Sequence, residues 1–429
     1  MSFDCLARIE VIDEGSGYAL PPTVTISGGG GSNAAAVALV LDGSVKRVFV
    51  SVPGSGYTGF PRVVIDPPPP APIPTTLAIR MAQTPQLVLQ AETGVQMLLQ
   101  WTDALRFTNQ WITITNVALG SNAVLLQDFG ATQAEKRFYR AVPPVPATMA
   151  LIPAGAFTMG NCMDPSEGGS DELPLHSVYV SAFYMDKCEV TRMQWDEVYV
   201  WATNHGYSFD NVGSGKATNH PVHTVCWYDA VKWCNARSEK EGRVPAYYTS
   251  ATQTKVYRTE RRDVLCDWVK WNVGYRLPTE AEWEKAARGG SSGHRFPWAN
   301  VETITHSQAN YYSEADYAYD ISPTRDYHPS FITSNLPFTS PVGYFAPNGF
   351  GLSDMAGNVA EWCWDWYGSY AGGSESDPTG PYWGFNRMLR GGSFWFHSAN
   401  LSRTACRAIM GQQFAFFEVG FRSVLPKNQ

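Results

Sequence analysis

The 429-residue chain reads as an α+β protein in which all-β modules precede a larger mixed domain. Three observations carry that reading. Residues 8–68 repeat a strand–turn–strand pattern, and residues 77–142 alternate apolar and polar side chains at strand period. From Met149 onward, helix-capping signals and helical periodicity appear between short strand-like runs.

The repeat comes first. RIEVIDEGSGYALPPTVTI aligns with RVFVSVPGSGYTGFPRVVI at constant offset, matching Gly15 to Gly54, Tyr18 to Tyr57 and Pro22 to Pro61. Gly28–Gly31 is expected to be a flexible loop between the units, and DPPPPAPIP (Asp66–Pro74) a stiff spacer that cannot join a sheet centre. LVLQA, VQMLLQWT, WITITNV, AVLLQDF and KRFYRAV then read as strands of a sandwich-like module. The predicted organisation is 1–75, 76–145 and 146–429, with the first two parts serving as a stalk.

In the third part, Thr191–Asn204 predicts a helix packing Trp195, Val198 and Trp201. Tyr228–Lys240 predicts an amphipathic one with Val231, Cys234 and Ala236 near one face. A third starts at Thr279, three residues before Glu282 in a capping box, and stops at Gly289-Gly290. Trp362, Trp364 and Trp366 alternate at strand spacing and are assigned to the core.

Composition narrows the function classes. Apolar content of 44% with 17% charged residues describes a globular protein. A net charge of −7 without any Lys/Arg run argues against nucleic acid or anionic membrane as partner. The longest clean apolar run, Ala34–Leu41, is far short of the roughly 20 residues that membrane insertion needs. MSFDCLARIEV lacks the charged and apolar regions of a signal peptide. The eight cysteines contain no CxxC, which disfavours a zinc site of the usual spacing, and their pairing stays open.

Six blocks, MALIPAGAFTMG, ELPLHSVYVSAFYMDKCEVT, PVHTVCWYDAVKWCNARSEKEG, RLPTEAEWEKAARGG, GFGLSDMAGNVAEWCWD and RGGSFWFHSANLSRTACRAIMGQQFAFFEVGFRSV, together resemble the formylglycine-generating enzyme (sulfatase-modifying factor) family. The resemblance implies a C-type-lectin-like fold over about 149–424. It also implies two cysteines soon after the GGS turn, which in the family's oxidases bind Cu(I) while oxygen is activated. Here those positions fall on or beside Phe396 and Leu401, and Cys406 belongs to the later arginine-rich strand. No copper and no catalysis are therefore expected. No HxxxHxE is present, and His176 reads as a framework histidine.

The family places calcium in DMAGNVAE. That implies Asp354 and Glu361 as side-chain ligands with the carbonyls of Gly357 and Val359. The alternative is that both acids cap turns and pair with Arg390 or Arg422. A second calcium loop would use Asn310 and the Tyr311 carbonyl, with Asp320 or Asp326 as candidate acids.

Between the framework residues of the last block lie Phe394, Trp395, Phe396, His397, Asn400, Ser402, Thr404, Phe414, Phe416 and Phe417. The pattern resembles the variable proteins of diversity-generating retroelements, whose corresponding positions form one exposed face. Such a face implies recognition of a protein or glycan at the cell surface or after secretion. The opposite expectation is that these phenylalanines pack inward. Two other readings remain in play: an oxidase with displaced cysteines, and a self-assembling subunit of an extracellular structure.

Overall fold

A computed structural model of the chain describes residues 9, 11, 22–41, 44–66, 76–80, 86–90, 96–102, 112–118, 123–128, 137–142, 144–163, 166–333 and 335–427. Contacts divide it into two compact units: Met1–Gly94 with Ala118–Lys136, and Val95–Val117 with Arg137–Gln429.

In the first unit, like pairs with like. Val24–Ser27 lies antiparallel to Arg62–Ile65, its counterpart in the repeat, and Ile9 bridges to its own counterpart Val48. The alternating β-branched residues of each copy thus bury a shared strip of Ala38, Val45 and Val48. The loop expected to be flexible is a tied turn. The Gly29 carbonyl accepts from the amides of Thr58 and Gly59, and a Cβ on Gly29 would stand 2.8 Å from Gly59 O. Gly15, Tyr18 and spacer residues 67–74 lie outside the described residues.

Strands Thr76–Arg80, Gln86–Gln90 and Ala123–Gln127 form one antiparallel sheet, burying Leu87 and Leu89. Phe138–Val142, Gln96–Thr102 and Ile112–Ala118 form another. The segment 76–145 contributes to both units.

Among the described residues of 146–427, three α-helices and three small sheets surround the core. Helix α1 (Arg192–Thr203) begins as its capping box dictates: Thr191 Oγ1 accepts from the Gln194 amide at 3.1 Å, and Gln194 Oε1 accepts from the Thr191 amide at 2.9 Å. Helix α3 (Glu280–Ala287) repeats the device with Thr279 and Glu282, and ends before Gly289 and Gly290 at positive φ. Helix α2 (Trp227–Lys240) departs from the expected amphipathic pattern, because Trp227 to Ser238 are all buried. Its polar residues point inward to partners: Asn235 Nδ2 donates to the carbonyls of Tyr247 and Tyr257, and Arg237 pairs with Asp186 at 2.8 Å. Trp195 and Trp233 stack 6.2 Å apart where α1 meets α2, with Phe421 edge-on to both.

The domain closes on itself. Met149–Ile152 pairs with Phe183–Asp186, which pairs in turn with Val424–Pro426, so its first and last strands share one sheet. The sheet Ala408–Met410, Arg387–Arg390, Ala360–Trp366, Val419–Gly420 carries the C-terminal segment. Trp362, Trp364 and Trp366 are core as expected, and Arg387 lies between Trp366 (3.5 Å) and Trp227 (3.8 Å). Burial pushes the Arg387 guanidinium down to about 9.

Candidate functional site

The turn Arg390–Ser393 folds the last block back on itself. Gly391 and Gly392 take φ of 92° and 71°, and a Cβ on Gly392 would stand 2.6 Å from the Leu401 carbonyl. Ser393 Oγ accepts from the amides of Trp395 and Phe396, both at 3.2 Å, and Ser398 Oγ accepts from the Asn400 amide to start a 3₁₀ turn at Ala399–Ser402.

Part of the expected face reaches the surface, in two groups of rings. His397, Phe414 and Phe416 are exposed, the latter two at 48% and 43%, while Trp395, Phe396, Asn400 and Phe417 are half-buried. Phe414 and Phe416 stack at 6.0 Å, and Trp395 meets Phe417 edge-on at 5.1 Å. Three predicted members are core instead. Phe394 is 1% exposed, with its amide held by Asn358 O and its ring against Phe338 and Phe417. Ser402 and Thr404 are buried as well, the Thr404 amide donating to Arg295 O. Asn400 is committed internally, its Oδ1 accepting from Arg403 Nε and Tyr319 Oη. In their place the surface gains Tyr312 and Tyr327 from a distant loop. Tyr312 stacks on His397 at 4.3 Å, and Tyr327 lies 5.9 Å from Trp395. No periodicity marks those tyrosines, so sequence reasoning missed them.

Phe396 and Leu401, on or beside which the family resemblance puts the copper thiols, are hydrocarbon. Phe396 packs on the main core and Leu401 is half-buried. Cys406 is buried and its thiol is pushed up to about 12, chiefly by burial, so it stays protonated at neutral pH. All seven described cysteines are free thiols.

The loop expected to hold calcium departs from that expectation in part. Glu361 is committed to Arg422, which donates through Nε and Nη2 at 2.7 Å each, and it also accepts from Trp283 Nε1 at 2.8 Å. Asp354 does offer an oxygen: Oδ2 accepts from the Gly343 amide at 2.6 Å, while Oδ1 is buried without a partner. Sequence reasoning missed Glu189. Its Oε1 accepts from Asn358 Nδ2 at 3.1 Å, and its Oε2 is likewise buried and unpartnered. Three buried carboxylates thus face one guanidinium. Burial first, then the charge of Asp354, pushes Glu189 well up, and burial raises Asp354 to about 6. The two facing oxygens of Asp354 and Glu189 would be satisfied by one proton shared between the acids, which the upward push on both favours, or by a hard cation that draws further oxygens from the loop. Gly357 has φ of 80°, and a Cβ there would stand 2.3 Å from Asn310 O, which holds the loop's shape to glycine.

The second loop fits poorly. Asn310 Oδ1 is unpartnered, but the Tyr311 carbonyl faces His306 Nε2 at 3.1 Å. Asp320 is taken by Tyr311 Oη, Ser313 and Arg325, and Asp326 by Tyr312 Oη. Among the described residues, Asp210, Cys226 and Asp229 also converge at ligand spacing, but Lys232 and Arg261 already supply their positive charge.

The fold and this site define a formylglycine-generating-enzyme-type domain. The family description "Sulfatase-modifying factor enzyme 1-like domain" matches residues 136–427, and the chain belongs to that family. Chaperone protein LppX of Paenibacillus barcinonensis is 34% identical over 273 residues, covering 60% of this chain and 87% of that protein. The formylglycine-generating enzyme of Streptomyces coelicolor is 32% identical over 285 residues, covering 63% and 87% respectively. Among solved structures, Treponema denticola variable protein 1 is 28% identical, with coverage of 65% and 94% and a TM-score of 0.48.

Proposed function

We propose that this chain is a non-catalytic member of its family that recognises a protein or glycan ligand through Trp395, Phe396, His397, Phe414, Phe416 and Phe417, joined by Tyr312 and Tyr327. The observation that carries the reading is hydrocarbon at or beside the two expected thiol positions, in a segment that also carries the exposed rings of His397, Phe414 and Phe416 and the half-buried rings of Trp395 and Phe417. Cu(I) needs soft thiolate ligands, and neither Phe396 nor Leu401 supplies one. Partly exposed aromatic side chains on a rigid frame are the usual anchors of recognition surfaces. Turnover of a cysteine-containing sulfatase peptide with Cu(I) and oxygen is the experiment on which non-catalysis stands or falls.

The scaffold under this face is proposed to hold calcium through Asp354 and Glu189, beside the Glu361–Arg422 pair. Calcium at 100 times its dissociation constant would add about 2.7 kcal/mol of stability. Chelator should lower the melting temperature, and Glu189→Gln or Asp354→Asn should remove the difference. The pH dependence has a definite sign. Native Asp354 binds its proton more tightly than the unfolded chain does, so its contribution without metal is lost as pH rises from 3.8 through about 6. Chelated protein should therefore lose stability over that window and calcium should cancel the loss. Equal melting curves with and without chelator at neutral pH would remove calcium from the account.

A further inference from the structure

A cavity of about 520 Å³ lies under the segment from Gly368 to Pro381, and neither the aromatic face nor the Asp354–Glu189 centre lines it. One of its walls is Asp365, only 4% exposed, on the strand Ala360–Trp366. Asp365 Oδ2 accepts from the Glu280 amide at 2.7 Å, the first amide of α3, while among the described residues no donor reaches Oδ1. Neighbouring Glu280 is committed to Arg407, which donates Nε to Oε1 at 2.7 Å and Nη2 to Oε2 at 2.8 Å. Three carboxylates, Asp365, Glu280 and Glu375, therefore share the cavity with one guanidinium.

The backbone is shaped to this carboxyl. Gly380 has φ of 70°, and a Cβ there would stand 2.8 Å from both Cβ and Oδ1 of Asp365. Ala281, Ala371, Pro378 and Pro381 supply apolar wall beside it. Burial first, and then the charge of Glu280, pushes Asp365 up to about 8; Glu282 adds to the rise and Arg407 opposes it. Arg390 Nε also stands 3.8 Å from Glu280 Oε1, and Arg387 is drawn electrostatically to Asp365, so what the cavity offers a ligand is the one Asp365 oxygen on its wall without a hydrogen bond. A metal ion is a poor match, since the space far exceeds one ion and Asp365 offers a single free oxygen where calcium wants six or more ligands.

We propose that this cavity binds an organic cation carrying a primary ammonium head, seated on Asp365 Oδ1 with its hydrocarbon stem along Ala281, Pro378 and Pro381. An ammonium brings three donors and a compact charge, and its alkyl stem suits the apolar wall. Binding requires the charged carboxylate, so affinity rises with pH until Asp365 is fully ionised.

The test is a calorimetric titration of the full chain with n-butylammonium and, separately, with 1-butanol. Saturable binding of butylammonium alone is expected, tightening about tenfold per pH unit below the Asp365 pKa. Asp365→Asn should abolish it while keeping an oxygen for the Glu280 amide. Gly380→Ala, which crowds the same carboxyl without touching its charge, should weaken binding at least about tenfold. Equal binding of butanol, unchanged affinity in both variants, or no saturable butylammonium binding at any pH would overturn the proposal.

Discussion

Replacing Arg422 by methionine should destabilise the domain by about 3–5 kcal/mol, measured by urea or thermal unfolding. Arg422 is fully buried and makes two 2.7 Å bonds to Glu361. It also donates to the carbonyls of Asp186 at 3.2 Å and Ser353 at 3.0 Å. Methionine fills much of the stem's space but leaves the Glu361 carboxylate buried beside Glu189 and Asp354 with no opposing charge. The physical cause is the uncompensated charge, not lost packing. A double variant, Arg422→Met with Glu361→Leu, should therefore recover part of the loss. A single variant within 1 kcal/mol of wild type would contradict the charge count on which the calcium proposal also rests.

Truncation should separate neighbouring residues of the C-terminal segment into two classes. Phe394→Ala removes a ring that is 1% exposed and should cost about 3–5 kcal/mol of stability, as large buried side chains do. Trp395→Ala and Phe416→Ala should instead leave the melting temperature nearly unchanged. On a protein or glycan selected with the wild-type chain, each should lose about 2 kcal/mol or more of binding free energy, roughly thirtyfold in affinity. If Trp395→Ala unfolds the domain as readily as Phe394→Ala, the proposed face is core.

The features legible in the sequence are those set by neighbours along the chain. Thr279 with Glu282 and Thr191 with Gln194 start their helices because each pair satisfies amides within one turn. The glycine pair at 391–392 was equally readable, since only glycine tolerates that turn against Leu401 O. What escaped depends on contacts across long separations. Glu189 meets Asp354 only after the fold closes, so the acid pair had no spacing to betray it. The rule that non-framework positions face outward failed at Phe394, Ser402 and Thr404. There the chain turns inward to bond with Asn358 and Arg295 or to close the 3₁₀ turn. Helix α2 reads as amphipathic from Val231, Cys234 and Ala236, but its Asp229, Lys232, Asn235 and Arg237 each find a buried partner, so the polar face is buried as well.

Non-catalysis is tested most directly by incubating the purified chain with Cu(I), oxygen and a cysteine-containing sulfatase peptide, and following the peptide by mass spectrometry. With Phe396 and Leu401 where thiolates would bind copper, and Cys406 buried with its thiol pushed up to about 12, the peptide should be recovered unmodified. Formylglycine in the recovered peptide, formed by wild type and lost in Cys406→Ser, would contradict the account and restore the chain to the family's oxidases.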